Sequence, residues 1–148
     1  MDQLPDDLLE LDQQVCFALA VASRNVIAMY RPILEPLGLT HPQYLVMLTL
    51  WGRAPLRFGE VAEMLRLDPA TLSPLVKRLE QSGLIERLPV AGDDRTFALQ
   101  PTVSGRALRT QALDVPPAVI ERLGMPLDRL VKLRDELSAV IAATDAIK

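Results

Sequence analysis

LRLDPATLSPLVKRLEQSGLIER, residues 65–87, carries a complete set of helix signals followed by the start of a strand. Leu72, Leu75, Val76 and Leu79 recur at steps of one, three or four, which makes one apolar helical stripe. Thr71, Ser73, Lys77, Arg78 and Gln81 then point elsewhere. Asp68-Pro69 opens the segment and Gly83 suits the residue just past its end. A helix beginning at Pro69 holds Pro74 in its interior, where an internal bond is lost. One beginning near Thr71 holds it in the first turn at little cost, and the spacing predicts this later start after an irregular lead-in. Leu84–Leu88 reads as a short strand, Val90–Asp94 as a turn and Arg95–Leu99 as the returning strand. Together they form a hairpin with a charged tip.

Upstream, Thr40-His41-Pro42-Gln43 has an N-cap, a first-turn proline and a capping-box glutamine. That helix carries Tyr44, Leu45, Met47, Leu48 and Trp51 and is expected to stop before Gly52 and Pro55. A short helix with Val61, Ala62, Met64 and Leu65 follows. The first periodic segment covers about residues 6–36, with Leu8, Leu11, Val15, Leu19, Ala22, Val26 and Met29 on one stripe, and is closed by Pro36 and Gly38. Such a helix is roughly 45 Å long, so part of its apolar face is expected to meet another chain. Downstream, Thr102 caps a fifth helix interrupted by Pro116-Pro117. A last helix after Gly124 and Pro126 aligns Leu127, Leu130, Leu133, Leu137 and Ile141. The expected fold is mainly α with a small β-hairpin wing. The element order describes a winged helix-turn-helix, joined to long helices at both ends of the chain.

The 148 residues fit one domain. Hydrophobic residues make up 49% and charged ones 24%, which excludes disordered and fibrous classes. One cysteine and one histidine cannot build an internal disulfide or a Cys/His zinc site, so no metal and no cofactor are expected. A hydrolytic triad would need His41, and no nucleophile elbow accompanies it. The acidic N-terminus lacks a signal-peptide pattern, and no stretch approaches 18 uncharged apolar residues. A cytoplasmic protein with no membrane partner is expected, in a compartment where a lone thiol stays reduced.

The net charge of −3 argues against nucleic acid until its distribution is considered. Residues 1–37 hold six acidic and two basic side chains, whereas residues 57–109 hold seven and eight. Position on the surface matters more than the total. A helix held by its apolar stripe can offer its other face to a major groove. Thr71 and Ser73 can reach phosphates or base edges, while Lys77 and Arg78 can neutralise phosphates or read guanine. Arg95 near a narrow hairpin tip can enter a minor groove, with Asp93 orienting it or holding the turn. From spacing alone, the same residues also fit an ordinary solvated face and a polar turn.

Residues 65–87 and GDDRTFALQPTVSGRAL (92–108) resemble the MarR family of winged-helix transcription regulators, and Asp93-x-Arg95 matches that family's wing-tip motif. LDQQVCFALAVASRNVIAMYRPILEPLGLTHPQYLVMLTLW (11–51) is similar to the organic-hydroperoxide-sensing branch, the OhrR repressors. Cys16-Phe17, Tyr30 and Pro42-Gln43-Tyr44-Leu45 select that branch, in its single-cysteine form. The resemblance covers nearly the whole chain and weakens after about residue 115. It implies one MarR-type domain over 1–148, with about 1–37 and 103–148 as dimerisation helices and about 38–102 as the winged-helix part. It also implies an obligate homodimer on double-stranded operator DNA, with organic hydroperoxide as inducer and no enzymatic activity.

Cys16 is then the redox sensor. Taken alone, one cysteine between Val15 and Phe17 is more often an inert apolar residue, and the long first helix places it well past the first turn. The resemblance implies hydrogen bonds from tyrosines of the partner subunit. Tyr30 matches one of these positions, and His41 stands at the other as a neutral donor. Tyr30 is about 21 Å along the helix from Cys16, so the two cannot meet within one helix. Phe17 is expected to line the pocket, and Tyr44 belongs to the core. With no second cysteine, sulfenic acid at Cys16 must condense with a low-molecular-weight thiol, form a sulfenamide or oxidise further. Two alternatives stand beside this: a MarR-type repressor answering a phenolic or aromatic ligand, with Cys16 structural, and a thiol peroxidase, for which the chain shows no peroxidase signature and no resolving cysteine.

Overall fold

The computed structural model describes residues 9–11 and 14–147. Helix α1 spans Val15–Leu34, and a short 3-10 helix at Glu35–Leu37 completes its C-terminal end. The first helix is thus shorter than the segment 6–36, and Leu8 lies outside the described residues. The order continues with α2 (His41–Arg53), strand β1 (Leu56–Arg57), α3 (Phe58–Leu65) and α4 (Pro69–Gln81). It then runs through β2 (Ile85–Val90), β3 (Asp93–Pro101), α5 (Val103–Ala112), α6 (Val115–Leu123) and α7 (Leu127–Asp145).

Thr40 closes a full capping box on α2. Its amide donates to Gln43 Oε1 at 2.9 Å, and its Oγ1 accepts from the Gln43 amide at 3.4 Å. This helix runs through Gly52 to Arg53, because the last turn bonds back to Leu50 before the chain turns at Ala54. Pro116-Pro117 does not break α5. That helix ends at Ala112, and the two prolines sit in the first turn of α6, where missing amides are tolerated.

Helix α4 begins at Pro69, not near Thr71. The amides of Thr71 and Leu72 both bond to the Asp68 carbonyl, so the first turn forms upstream of Thr71. Pro74 is therefore inside the helix and removes one bond, that to the Ala70 carbonyl. It lies on the exposed face, where water can satisfy that carbonyl. At the other end the Leu84 amide reaches the Leu79 carbonyl, with Gly83 at φ +75°. A side chain there would be strained, which is why glycine ends the helix.

β2 and β3 pair antiparallel, with Ile85 opposite Pro101 and Arg87 opposite Leu99. β1 adds a third strand that two residues were too short to announce, with Leu56 opposite Leu99. The sheet order is β1-β3-β2. Leu72, Val76 and Leu79 of α4 are fully buried against Val46, Met47 and Leu50 of α2, Val61 of α3 and Leu99 of β3. Each such burial is worth about 1.5–3 kcal/mol, which fixes α4 by one face and leaves the other to solvent.

The last helix is different. No residue of α7 is buried, although Leu127, Val131, Leu133, Val140 and Ile141 are apolar. An ion pair from Arg66 to Asp145 ties its end to the turn after α3.

Candidate functional site

The free face of α4 carries Thr71, Ser73, Pro74, Lys77, Arg78 and Gln81, all exposed. Lys77 and Arg78 make no ion pair among the described residues, so both charges are available to an anion. Pro74 and Gln81 sit nearer the middle of that face than Ser73. The later start expected for the helix hid the part of Pro74.

The wing presents Arg95 with its side chain 97% exposed. Asp93 stands at the start of β3, beside the turn. Its Oδ1 accepts from the Arg95 amide at 3.0 Å and lies 3.8 Å from the Arg95 Nε. The carboxylate thus pins the backbone of the turn and leaves the guanidinium only loosely held.

Arg95→Ala is expected to lower affinity for an operator duplex, selected from a random-sequence pool, by about 1–3 kcal/mol. The change should leave thermal stability untouched, and equal affinity at 0.15 M salt would remove Arg95 from the interface. Lys77→Ala should weaken binding to all sequences and flatten the salt dependence by about one ion. An unaltered slope in the same titration would make Lys77 an ordinary surface charge.

The second cluster lies where α1 meets α2. The Tyr30 ring sits 4.7 Å from the His41 ring, tilted by 58°, and 6.0 Å from the Tyr44 ring. Tyr30 and His41 are half-buried, whereas Tyr44 is buried in the core. Burial raises the Tyr30 pKa, and burial followed by the nearby Tyr30 raises that of Tyr44, so both phenols stay protonated donors. Burial lowers the His41 pKa, so its ring is neutral at pH 7 and keeps one N–H. An apolar groove of about 530 Å³ opens beside His41, lined by Ile27, Leu39 and Pro42, with Arg31 and Glu35 at its rim. A larger cleft of about 920 Å³ between the end of α1 and α5–α6 holds none of these groups.

The His41 shift has a consequence for stability. An unfolded imidazole titrates near about 6.5, and the folded value is lower, so below that pH the unfolded chain binds the extra proton. The His41 contribution is present above about pH 6.5 and is lost as pH falls beneath it. Lowering the pH from 7 to 5 should therefore reduce Tm more for the wild type than for His41→Phe. Parallel Tm curves would show that His41 does not titrate differently on folding.

Cys16 is exposed at the other end of α1. It is the second residue of that helix and not a residue well past the first turn, because the helix begins at Val15. Cys16 is thus nearer the N-terminal end of its helix than the longer helix expected from the sequence would place it. Val15 and Phe17 beside it are exposed apolar side chains. Cys16 and Tyr30 share one helix at a separation of about 21 Å, so one chain does not bring them together. Tyr30 and His41 do meet, across α1 and α2.

Among the described residues no helix is long and apolar enough to cross a membrane. Also among them, no three His, Cys, Asp or Glu side chains are grouped to hold a metal ion.

The MarR family model matches residues 39–97, which span α2 to the middle of β3. The organic hydroperoxide resistance transcriptional regulator of Bacillus subtilis is 39% identical over 114 residues, covering 77% of this chain and 78% of that one. The HTH-type transcriptional regulator TtmR of Methylorubrum extorquens is 39% identical over 147 residues, covering 95% and 75%. Reduced AbfR bound to DNA superposes with a TM-score of 0.73 at 32% identity, covering 90% of this chain and 94% of that one. AbfR is also known overoxidized on DNA, with a TM-score of 0.72, and in a disulfide-formed state. With the winged-helix architecture and the exposed basic face of α4 in place, the chain belongs to the MarR family and is a DNA-binding transcription regulator, not an enzyme.

Proposed function

We propose that the protein is a cytoplasmic, homodimeric repressor that holds operator DNA while Cys16 is reduced and releases it once an organic hydroperoxide has oxidised that cysteine. The observation that carries this is the split site on α1. A thiol stands at its first turn, and a paired phenol and imidazole stand at its far end, next to an apolar groove. Two α1 helices packed antiparallel across a two-fold axis would bring Cys16 of one subunit to Tyr30 and His41 of the other. Residues 1–37 and 103–148 would form that interface, and 38–102 the DNA-reading part. The exposed apolar side chains of α7, with Val15 and Phe17, support it, since they are suited to burial against a second copy of the chain. The likeness to the Bacillus subtilis regulator supports the choice of oxidant.

The chemistry follows from the groups present. The Cys16 thiolate attacks the distal peroxide oxygen, the O–O bond breaks, and the alkoxide leaves and takes a proton as an alcohol. The product is sulfenic acid at Cys16. Tyr30 and His41 donate hydrogen bonds to the sulfur, and Phe17 with the groove receives the alkyl group, whose burial favours an organic peroxide over hydrogen peroxide. A small thiol then displaces water from the sulfenic acid to leave a mixed disulfide. AbfR is found on DNA in its overoxidized form, which favours the bulky adduct over an added oxygen as the releasing species. Thr71, Ser73, Lys77, Arg78 and Arg95 would contact the operator, with Asp93 holding the turn.

Wild-type protein on labelled operator at constant salt, titrated with cumene hydroperoxide and a small thiol, tests this reading. Release at about one equivalent per subunit, with the matching mass change at Cys16, is the expected result. Full release by a phenolic acid with Cys16 unmodified would instead support the ligand-responsive repressor.

A further inference from the structure

We propose that Arg87 is a positioning residue for operator recognition, a strut that fixes the wing against the recognition helix α4 and does not itself contact DNA. Arg87 belongs to β2, and a basic wing residue would ordinarily be assigned to a phosphate. Its surroundings argue otherwise. The Arg87 Nε donates to Glu80 Oε1, on the last turn of α4, at 2.8 Å. Its guanidinium carbon stands 4.1 Å from the centre of the Phe97 ring of β3. The Phe97 ring in turn lies 5.4 Å from that of Phe58, the first residue of α3. One planar cation thus joins three elements.

The strand register dictates this arrangement. Arg87 is opposite Leu99, so Phe97, two residues away on the same face, is its diagonal neighbour. On the other face of β2, Glu86 Oε1 accepts from Gln100 Nε2 at 2.7 Å, which ties strand to strand but does not reach α4. Arg95 offers the contrast, being almost fully exposed and loosely held. The Arg87 charge is already matched by Glu80, and its flat fork fits a carboxylate and a ring at once, as a lysine cannot.

The function of such a strut lies in geometry. Beyond the two residues of β1 the wing is a two-stranded ribbon, and two strands alone hold their orientation poorly. The face of α4 and the tip of the wing must enter neighbouring major and minor grooves together, so their relative angle is part of recognition.

The test is a double-mutant cycle on Arg87→Gln and Glu80→Gln, read by fluorescence anisotropy at 0.15 M salt. The probes are a duplex selected from a random-sequence pool and an unrelated duplex. Each single change should weaken binding to the selected duplex about five- to 30-fold, and the double change no further. The salt slope and binding to the unrelated duplex should stay as in the wild type. Arg87→Lys should fail to restore affinity, and Phe97→Leu, which stays apolar but removes the ring, should reproduce the loss. A phosphate contact predicts the opposite signs: Glu80→Gln would tighten binding and Arg87→Gln would flatten the salt slope by about one ion. Either of those results, additive losses, no loss, or full rescue by lysine would overturn the strut. Glu80 is on the surface of α4, so its variant reports even if Arg87→Gln proves unstable.

Discussion

Cys16→Ser is expected to bind operator DNA within a factor of about three of the wild type and to remain bound under cumene hydroperoxide. The serine hydroxyl is close in size to the thiol and can accept the same hydrogen bonds, so the reduced geometry survives. It cannot displace an alkoxide from a peroxide, so no adduct forms. For the wild type, oxidation must shift affinity by a coupling of about 1–3 kcal/mol, or roughly five- to 150-fold, for repression to be relieved. The comparison is therefore between a large loss and none. A Cys16→Ser protein that still leaves DNA under peroxide would sink the proposed mechanism. One that never binds would instead show that the thiol is needed for structure.

Gly105→Ala is expected to destabilise the protein by about 3 kcal/mol or more and to lower Tm by roughly 10 °C. Gly105 lies in the first turn of α5, and a β-carbon there would stand 2.0 Å from the Leu84 carbonyl oxygen and 3.2 Å from the Pro101 Cβ. The obstacle is backbone and cannot swing aside. That backbone is fixed from several directions. The Thr102 amide donates to the Leu84 carbonyl at 3.1 Å, and the Gly105 amide donates to Thr102 Oγ1 at 3.1 Å. Trp51 Nε1 donates to the Gly105 carbonyl at 2.8 Å. Helix propensity alone predicts the reverse sign, a gain of about 1 kcal/mol from replacing glycine with alanine inside a helix. Thermal unfolding of the variant decides between the two, and a raised Tm would mean that the helix and hairpin part without cost.

Much of this was legible in the chain. Thr40 with Gln43, the Leu72/Val76/Leu79 stripe, Gly83 and the hairpin are local signals, and local chemistry places them correctly. The misreadings came where tertiary contacts or short lengths decide. Pro74 suggested a late helix start, but a proline on a solvent face gives up one bond that water can replace. Two-residue β1 exists only because β3 offers it a partner. The apolar run through Leu11 suggested that the first helix continues upstream of Val15, and the first-turn position of Cys16 was lost with it. In the candidate site, Tyr30 and His41 were picked out by resemblance, and their pairing depends on how α1 crosses α2. The Glu80–Arg87–Phe97–Phe58 chain had no signal in the sequence, because those residues are far apart in number and ordinary in type.

One residue, Thr102, separates the end of β3 from the start of α5. Its Oγ1 also bonds to the Gly83 carbonyl, so the joint has no slack. The hairpin is then a rigid arm whose pivot is the base of α5. From Pro101 to Asp93 at about 3.4 Å per residue, the arm is roughly 27 Å long. A rotation of about 10° at the pivot carries the tip nearly 5 Å, against a minor groove about 6 Å wide. Because Arg87 also ties the arm to Glu80 of α4, a tilt of α5 would carry the wing and the recognition helix together, so that both grooves would be entered or left as one step.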